Sequence, residues 1–222
     1  MGTLDDAQTA VRAAALDLVQ TPDGRVRVED YLTVLAAAAG EAALAAAGFD
    51  VEGHDLPPGS ALFFDPVNAV LTGDPITRPA APGTVWSLIE PLGGSLAPAA
   101  ALPDPAALYR FVVEQLGQAD WGRVSTSVGD EHEPFLLPLK AAYDLRPAVL
   151  GIEQRFGAPV KDRHIVTTAA LTAALEQTRS AIDVPISLRL AVEVLFGMAK
   201  MAPMTGREIA ARLIDRVDLP TP

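Results

Sequence analysis

Residues Ile186–Met201, ISLRLAVEVLFGMAKM, decide the class of fold. At about 100° per residue, Arg189, Glu193 and Lys200 fall in one narrow stripe. Leu188, Leu190, Val192, Val194, Leu195, Met198 and Met201 take up most of the remaining circumference. A helix apolar over so much of its surface must be enclosed by other elements. Its length would be roughly 24 Å, short of the ~20 consecutive apolar residues that span a bilayer, and its charged stripe would face lipid. The stretch is therefore expected to be the central core helix of a soluble protein, with Arg189 and Glu193 as an i,i+4 pair at its surface.

Composition supports packing of helix on helix. The 222 residues are 50% hydrophobic but only 5% aromatic, so Ala, Leu and Val must fill the core. Small side chains let helices approach closely. With 28 acidic and 17 basic residues the formal charge is -11, which opposes binding to nucleic acid and gives no support for an anionic membrane surface. The absence of cysteine removes disulfides, thiolate nucleophiles and Cys-based metal sites. MGTLDDAQTA has neither a secretory signal pattern nor the Ser or Thr a myristoylation motif needs at position six, and a cytoplasmic location is expected.

Working outward, the helices announce themselves by their ends. Thr3 and Asp6 make an approximate capping box for a helix reaching about Val19, and Thr21-Pro22-Asp23-Gly24 is a turn. A second helix runs from about Glu29 to Ala47, stopped by Gly48. Beyond Leu35 it is almost bare of large side chains, so Gly40 and its alanines call for a neighbour at short distance, either another core helix or the same helix of a second copy. Asp65-Pro66 and Asp104-Pro105 pair a cap with Pro at the first helical position. Val85, Leu88, Ile89 and Leu92 predict a helix ended by Pro91 and Gly93-Gly94. Asp130 with Glu133 opens a helix kinked at Pro138, Pro147 starts another ending at Gly157, residues 166–181 precede the central helix, and Thr205 with Glu208 caps a last one to about Val217.

The expectation is an all-α bundle of about nine helices around 186–201, forming one domain over 1–222. A lobe boundary would fall at most near the proline-rich 75–83, and extended structure at most as a minor pair near 25–28 and 60–64.

Three constellations carry chemistry. The helix-loop-helix around Asp23 superficially resembles an EF-hand, with Gly24 at loop position six and Asp30 at twelve, but Val19 and Thr21 stand where the first oxygen ligands belong. Asp130, Glu131, His132 and Glu133 are the densest set of metal-ligating groups, with His54, Asp55 or His164 arriving from elsewhere. Consecutive residues radiate around a helix axis, however, and acids in a first turn are also explained by capping and the helix dipole. His54-Asp55 has the chemistry of a general base but no identifiable nucleophile, since Ser125, Thr126 and Ser127 lack a G-x-S-x-G context. Trp86 and Trp121 are expected in the core, and Met198, Met201 and Met204 as gap fillers.

With helical apolar surface in excess and no placed catalytic set, the leading expectation is a protein that acts by association, most simply as a homodimer packed through Ala-rich or Met-rich helical surface, or with a partner. Two alternatives stand beside it. One is a metal-dependent enzyme using Asp130, Glu131, His132, Glu133 and His54. The other is a helical binder of a small molecule. No particular cofactor is implied.

Overall fold

In the computed structural model, which describes residues 3–96, 102–115, 123–157 and 159–206, the first helix, α1 (Leu4–Val19), opens as its sequence requires. Thr3 and Asp6 satisfy each other's backbone and side-chain groups in a complete capping box. The turn that follows closes through Gly24 N–H to the Thr21 carbonyl at 2.8 Å, with Gly24 at φ +82°, where a Cβ would be strained.

The second helix, α2 (Val28–Ala46), runs through the core. Every residue from Asp30 to Ala45 is buried, and α2 packs against α1 and against α3 (Pro66–Leu71), α6 (Pro138–Phe156), α7 (Arg163–Thr178) and α8 (Val184–Met198). Between α3 and α6 lie α4 (Val85–Leu96) and α5 (Pro105–Gln115), the first packed on α7 and the second on α8. Among the described residues there are eight α-helices and no strand. Buried apolar residues from Ala7 to Met204 form one cluster.

The expected central stretch is α8, buried at every position from Ser187 to Met198 except Arg189. It shares the core with α2, and the contact between them is set by Gly40. A Cβ built on Gly40 would clash with the Leu195 carbonyl oxygen and lie 2.8 Å from the Met198 Cβ. The close neighbour that the alanine-rich sequence called for is therefore α8 of the same chain. Met198, Met201 and Met204 are buried as well, so the Ala-rich and Met-rich surfaces are both covered internally. Trp86 and Tyr109 close edge-on upon Phe196 at 6.0 and 5.3 Å.

Several local readings are corrected. Glu193 is 5% exposed and forms no surface pair with the exposed Arg189. Residues 130–156 do not hold two helices. Asp130–His132 is a single 3-10 turn, after which the chain is irregular until Pro138 starts α6. At the first helical position Pro138 lacks only an N–H that has no intrahelical partner anyway, so it starts the helix rather than kinking it. Pro147 lies inside α6 on its exposed side; the helix continues past it to Gly157, whose φ of +68° ends it. Likewise α4 runs through Pro91 and Gly93-Gly94 to Leu96. Residues 59–62 do pair in extended form, but with the chain after α8 and not with 25–28. Leu62 N–H meets the Lys200 carbonyl, and Ala202 N–H the Ser60 carbonyl, each at 2.8 Å. Trp121 and the last predicted helix beyond Gly206 lie outside the described residues. No helix among the described residues is long and apolar enough to cross a membrane.

Gly40→Ala should be destabilising although Ala favours a helix. The gain of about 1 kcal/mol in propensity is opposed by overpacking of up to about 3 kcal/mol, a net loss of about 2 kcal/mol in urea unfolding. Unchanged or higher stability would mean that α2 and α8 do not meet there.

Candidate functional site

Between α5 and α6 the chain from Arg123 to Leu137 has no regular structure beyond the turn at Asp130–His132, yet it is fixed at several points by helix carboxylates. Glu193, buried in α8, accepts the Ser127 N–H and the Ser127 Oγ–H, both at 2.6 Å. Asp30, 8% exposed in the first turn of α2, accepts the N–H groups of Phe135 at 2.7 Å and Leu136 at 3.2 Å through one Oδ1. Glu29 holds His132 Nδ1 at 2.9 Å. Arg27 donates to the carbonyls of Glu131 and Glu133 and lays its guanidinium over the Phe135 ring, 3.9 Å from the centroid. Burying a carboxylate is costly unless it is hydrogen-bonded, and charge-assisted bonds to N–H groups are strong. Asp30 and Glu193 thus gain their compensation by immobilising this loop.

Two further features tighten it. Val124 adopts φ +60°, a costly conformation for a β-branched residue and one that clusters at functional sites. Its side chain packs where Gly197 leaves room, since a Cβ at Gly197 would lie 2.6 Å from Val124 Cγ1. The fixed loop encloses a cleft of about 370 Å³ bounded by Arg123, Ser125, Thr126, Glu133, Phe135 and Leu137. Phe135 and Leu137 present large apolar surfaces beside it, at 82% and 55% exposure. Such a surface is suited to recognition, with an apolar wall and opposite charges at the rim.

The residues singled out from sequence divide. Asp130, Glu131 and Glu133 are exposed, and His132 is half-buried; Glu133 reaches the cleft, while His132 is taken up by Glu29. His54 sits elsewhere, its ring against Phe49 at 5.2 Å and its Nδ1 accepting the Leu56 N–H at 3.3 Å. His164 is a core residue, with Nε2 at 2.9 Å from the Gly83 carbonyl. Among the described residues, no three His, Asp or Glu side chains converge as a metal ion would require. In the loop that resembles an EF-hand, Asp23 is engaged by Thr21 and Arg25, and Asp30 by the 135–136 backbone.

The sequence did not reveal Arg27 as a site residue, nor the role of Asp30 and Glu193 as anchors of the loop. Only Glu193 carried a signal, a lone charge between Val192 and Val194 in an apolar segment. A solvent stripe and a buried anchor give the same pattern until the partner is known.

Burial alone would push the Glu29 carboxyl up, but the hydrogen bond with His132, with further help from its own backbone and Arg27, holds it below its ordinary value. A depressed folded pKa stabilises fully above the unfolded value, and that stability is lost as pH falls through the folded one.

Compared with known proteins, the chain matches no family model, and neither a curated protein nor a solved structure shows significant similarity to it. Function must therefore be read from this site itself.

Glu193→Ala should remove two charge-assisted bonds to the loop and cost about 1–3 kcal/mol, with amide exchange at Ser127 and Phe135 rising well before that of α2. If loop and core exchange rise together, the carboxylate supports the whole fold and not the loop. Glu29→Gln should flatten the acid limb of the pH–stability curve below the ordinary carboxylate range. Its stability at neutral pH should fall by less than in Glu193→Ala, because Glu29 is less buried.

Proposed function

We propose that this chain works by association, as a twofold dimer in which Phe135 of each copy enters the cleft of the other. The observation that carries this reading is an aromatic ring more than four-fifths exposed on a loop whose backbone is fixed by buried carboxylates. Fixing the loop in advance removes ordering entropy that binding would otherwise have to overcome. Knob and cleft lie side by side on one patch, which suits a twofold axis, where each contact occurs twice with roles exchanged. Arg123 and Glu133 on the rim would then meet in opposite pairs. That complementarity matters in a chain of charge -11, whose copies otherwise repel.

Metal-dependent chemistry at Asp130, Glu131, His132 and Glu133 has less support, because Glu29 and Arg27 already engage this turn. One metal ion per chain in the purified protein, lost in His132→Ala, would reinstate it.

Sedimentation over falling concentration is expected to show a dimer dissociating to monomer, and Phe135→Ala to weaken it by at least about tenfold. Phe135 contributes little to the core, so the variant should unfold at nearly the wild-type temperature. A wild-type monomer at every concentration would overturn the proposal, and a dimer indifferent to Phe135→Ala would move the interface elsewhere.

A further inference from the structure

Away from the loop, α2 and α6 meet through a buried ion pair. Arg146 donates from Nε and Nη2 to the two carboxylate oxygens of Glu41, both at 2.7 Å, and again from Nη2 to the Met204 carbonyl at 2.7 Å. The side chains are 6% and 7% exposed. A second fork joins Arg163 of α7 to Glu153 of α6, with Nε and Nη2 on the two oxygens. Apolar residues of similar volume often serve stability as well as a buried pair of this kind, so the pairs raise the question of a further use.

Both arginines line one cleft of about 230 Å³, whose other walls include Phe49, Val51, Leu150 and Val160. Each guanidinium spends one edge on its glutamate. Among the described residues neither Nη1 has a protein acceptor. Glu52 stands exposed at the same cleft, and Asp50 is occupied by the N–H groups of Glu52 and Gly53. An adjoining space of about 370 Å³, lined by Glu52, Tyr143, Arg146 and Leu150 among others, continues from it. The place therefore offers guanidinium donors within, a carboxylate at the edge and apolar walls between.

We propose that this cleft binds a small α-amino acid with an apolar side chain: carboxylate on the Nη1 groups of Arg146 and Arg163, ammonium on Glu52, side chain against Phe49, Leu150 and Val160. A planar guanidinium matches a carboxylate in geometry as well as in charge. Glu41 and Glu153 already balance the two arginine charges, so the site supplies directed donors and no net positive field. That favours a zwitterion over a simple anion. A neutral ligand is also indifferent to the net charge of -11, which would repel an anion.

Calorimetric titration of the full chain with leucine, valine and phenylalanine tests this, with isocaproate and isoamylamine as the leucine skeleton lacking the ammonium or the carboxylate. At least one amino acid should bind, and each truncated analogue should bind more weakly than leucine. Glu52→Gln, a change at an exposed position, should weaken the amino acid by about fivefold and leave isocaproate unchanged. Arg163→Lys should weaken both. No binding of any of the three amino acids at millimolar concentration would overturn the proposal. So would isocaproate binding as tightly as leucine with no effect of Glu52→Gln.

Discussion

The contact between α2 and α8 at Gly40 is the constraint on which the rest depends. Without a side chain at that point the two backbones approach until Gly40 lies against the Leu195 carbonyl and the Met198 Cβ. Small residues along α2 extend the close approach, so that α6, α7 and α8 all reach it. The consequence is a helix with no solvent face between Asp30 and Ala45. A carboxylate buried on it must be hydrogen-bonded within the protein. Asp30 and Glu41 are, and each anchors a different part of the molecule.

The buried carboxylates act in two ways. Glu41 and Glu153 bind arginine, joining α6 to α2 and α7 while leaving part of each guanidinium toward a cleft. Asp30 and Glu193 accept backbone N–H groups instead. An irregular segment cannot satisfy its own amides as a helix does, so carboxylates projecting from rigid helices supply the acceptors. The loop from Arg123 to Leu137 gains a fixed shape in this way without secondary structure. Its aromatic residue is held outward, with the Arg27 guanidinium over its ring.

Much of the architecture was legible in the chain. The Thr3–Asp6 box, the turn at Gly24, Pro66 and Pro105 as first helical residues, and Gly157 as a terminator are local chemistry, and local chemistry is read directly. Besides the helix expected to open at Asp130, which is a single 3-10 turn, the helices misjudged were those where proline suggested a break. Pro91 and Pro147 remain inside α4 and α6 because tertiary packing outweighs the loss of one hydrogen bond. Of the candidate cluster, Glu133 does border the cleft, whereas His54 is in another part of the molecule against Phe49. Distance in sequence gave no means of separating them.

The sequence by itself determined an all-helical protein with a core of small aliphatic residues, because periodicity and caps act within a few residues of each other. Only the tertiary structure decided that α2 shares the centre with α8, since alanine becomes a core residue only when a neighbour comes close enough to cover it. It alone gave Glu193 its role as well. Whether a charge in an apolar helix points to solvent or anchors a loop depends on a partner 66 positions away, and no local pattern records that.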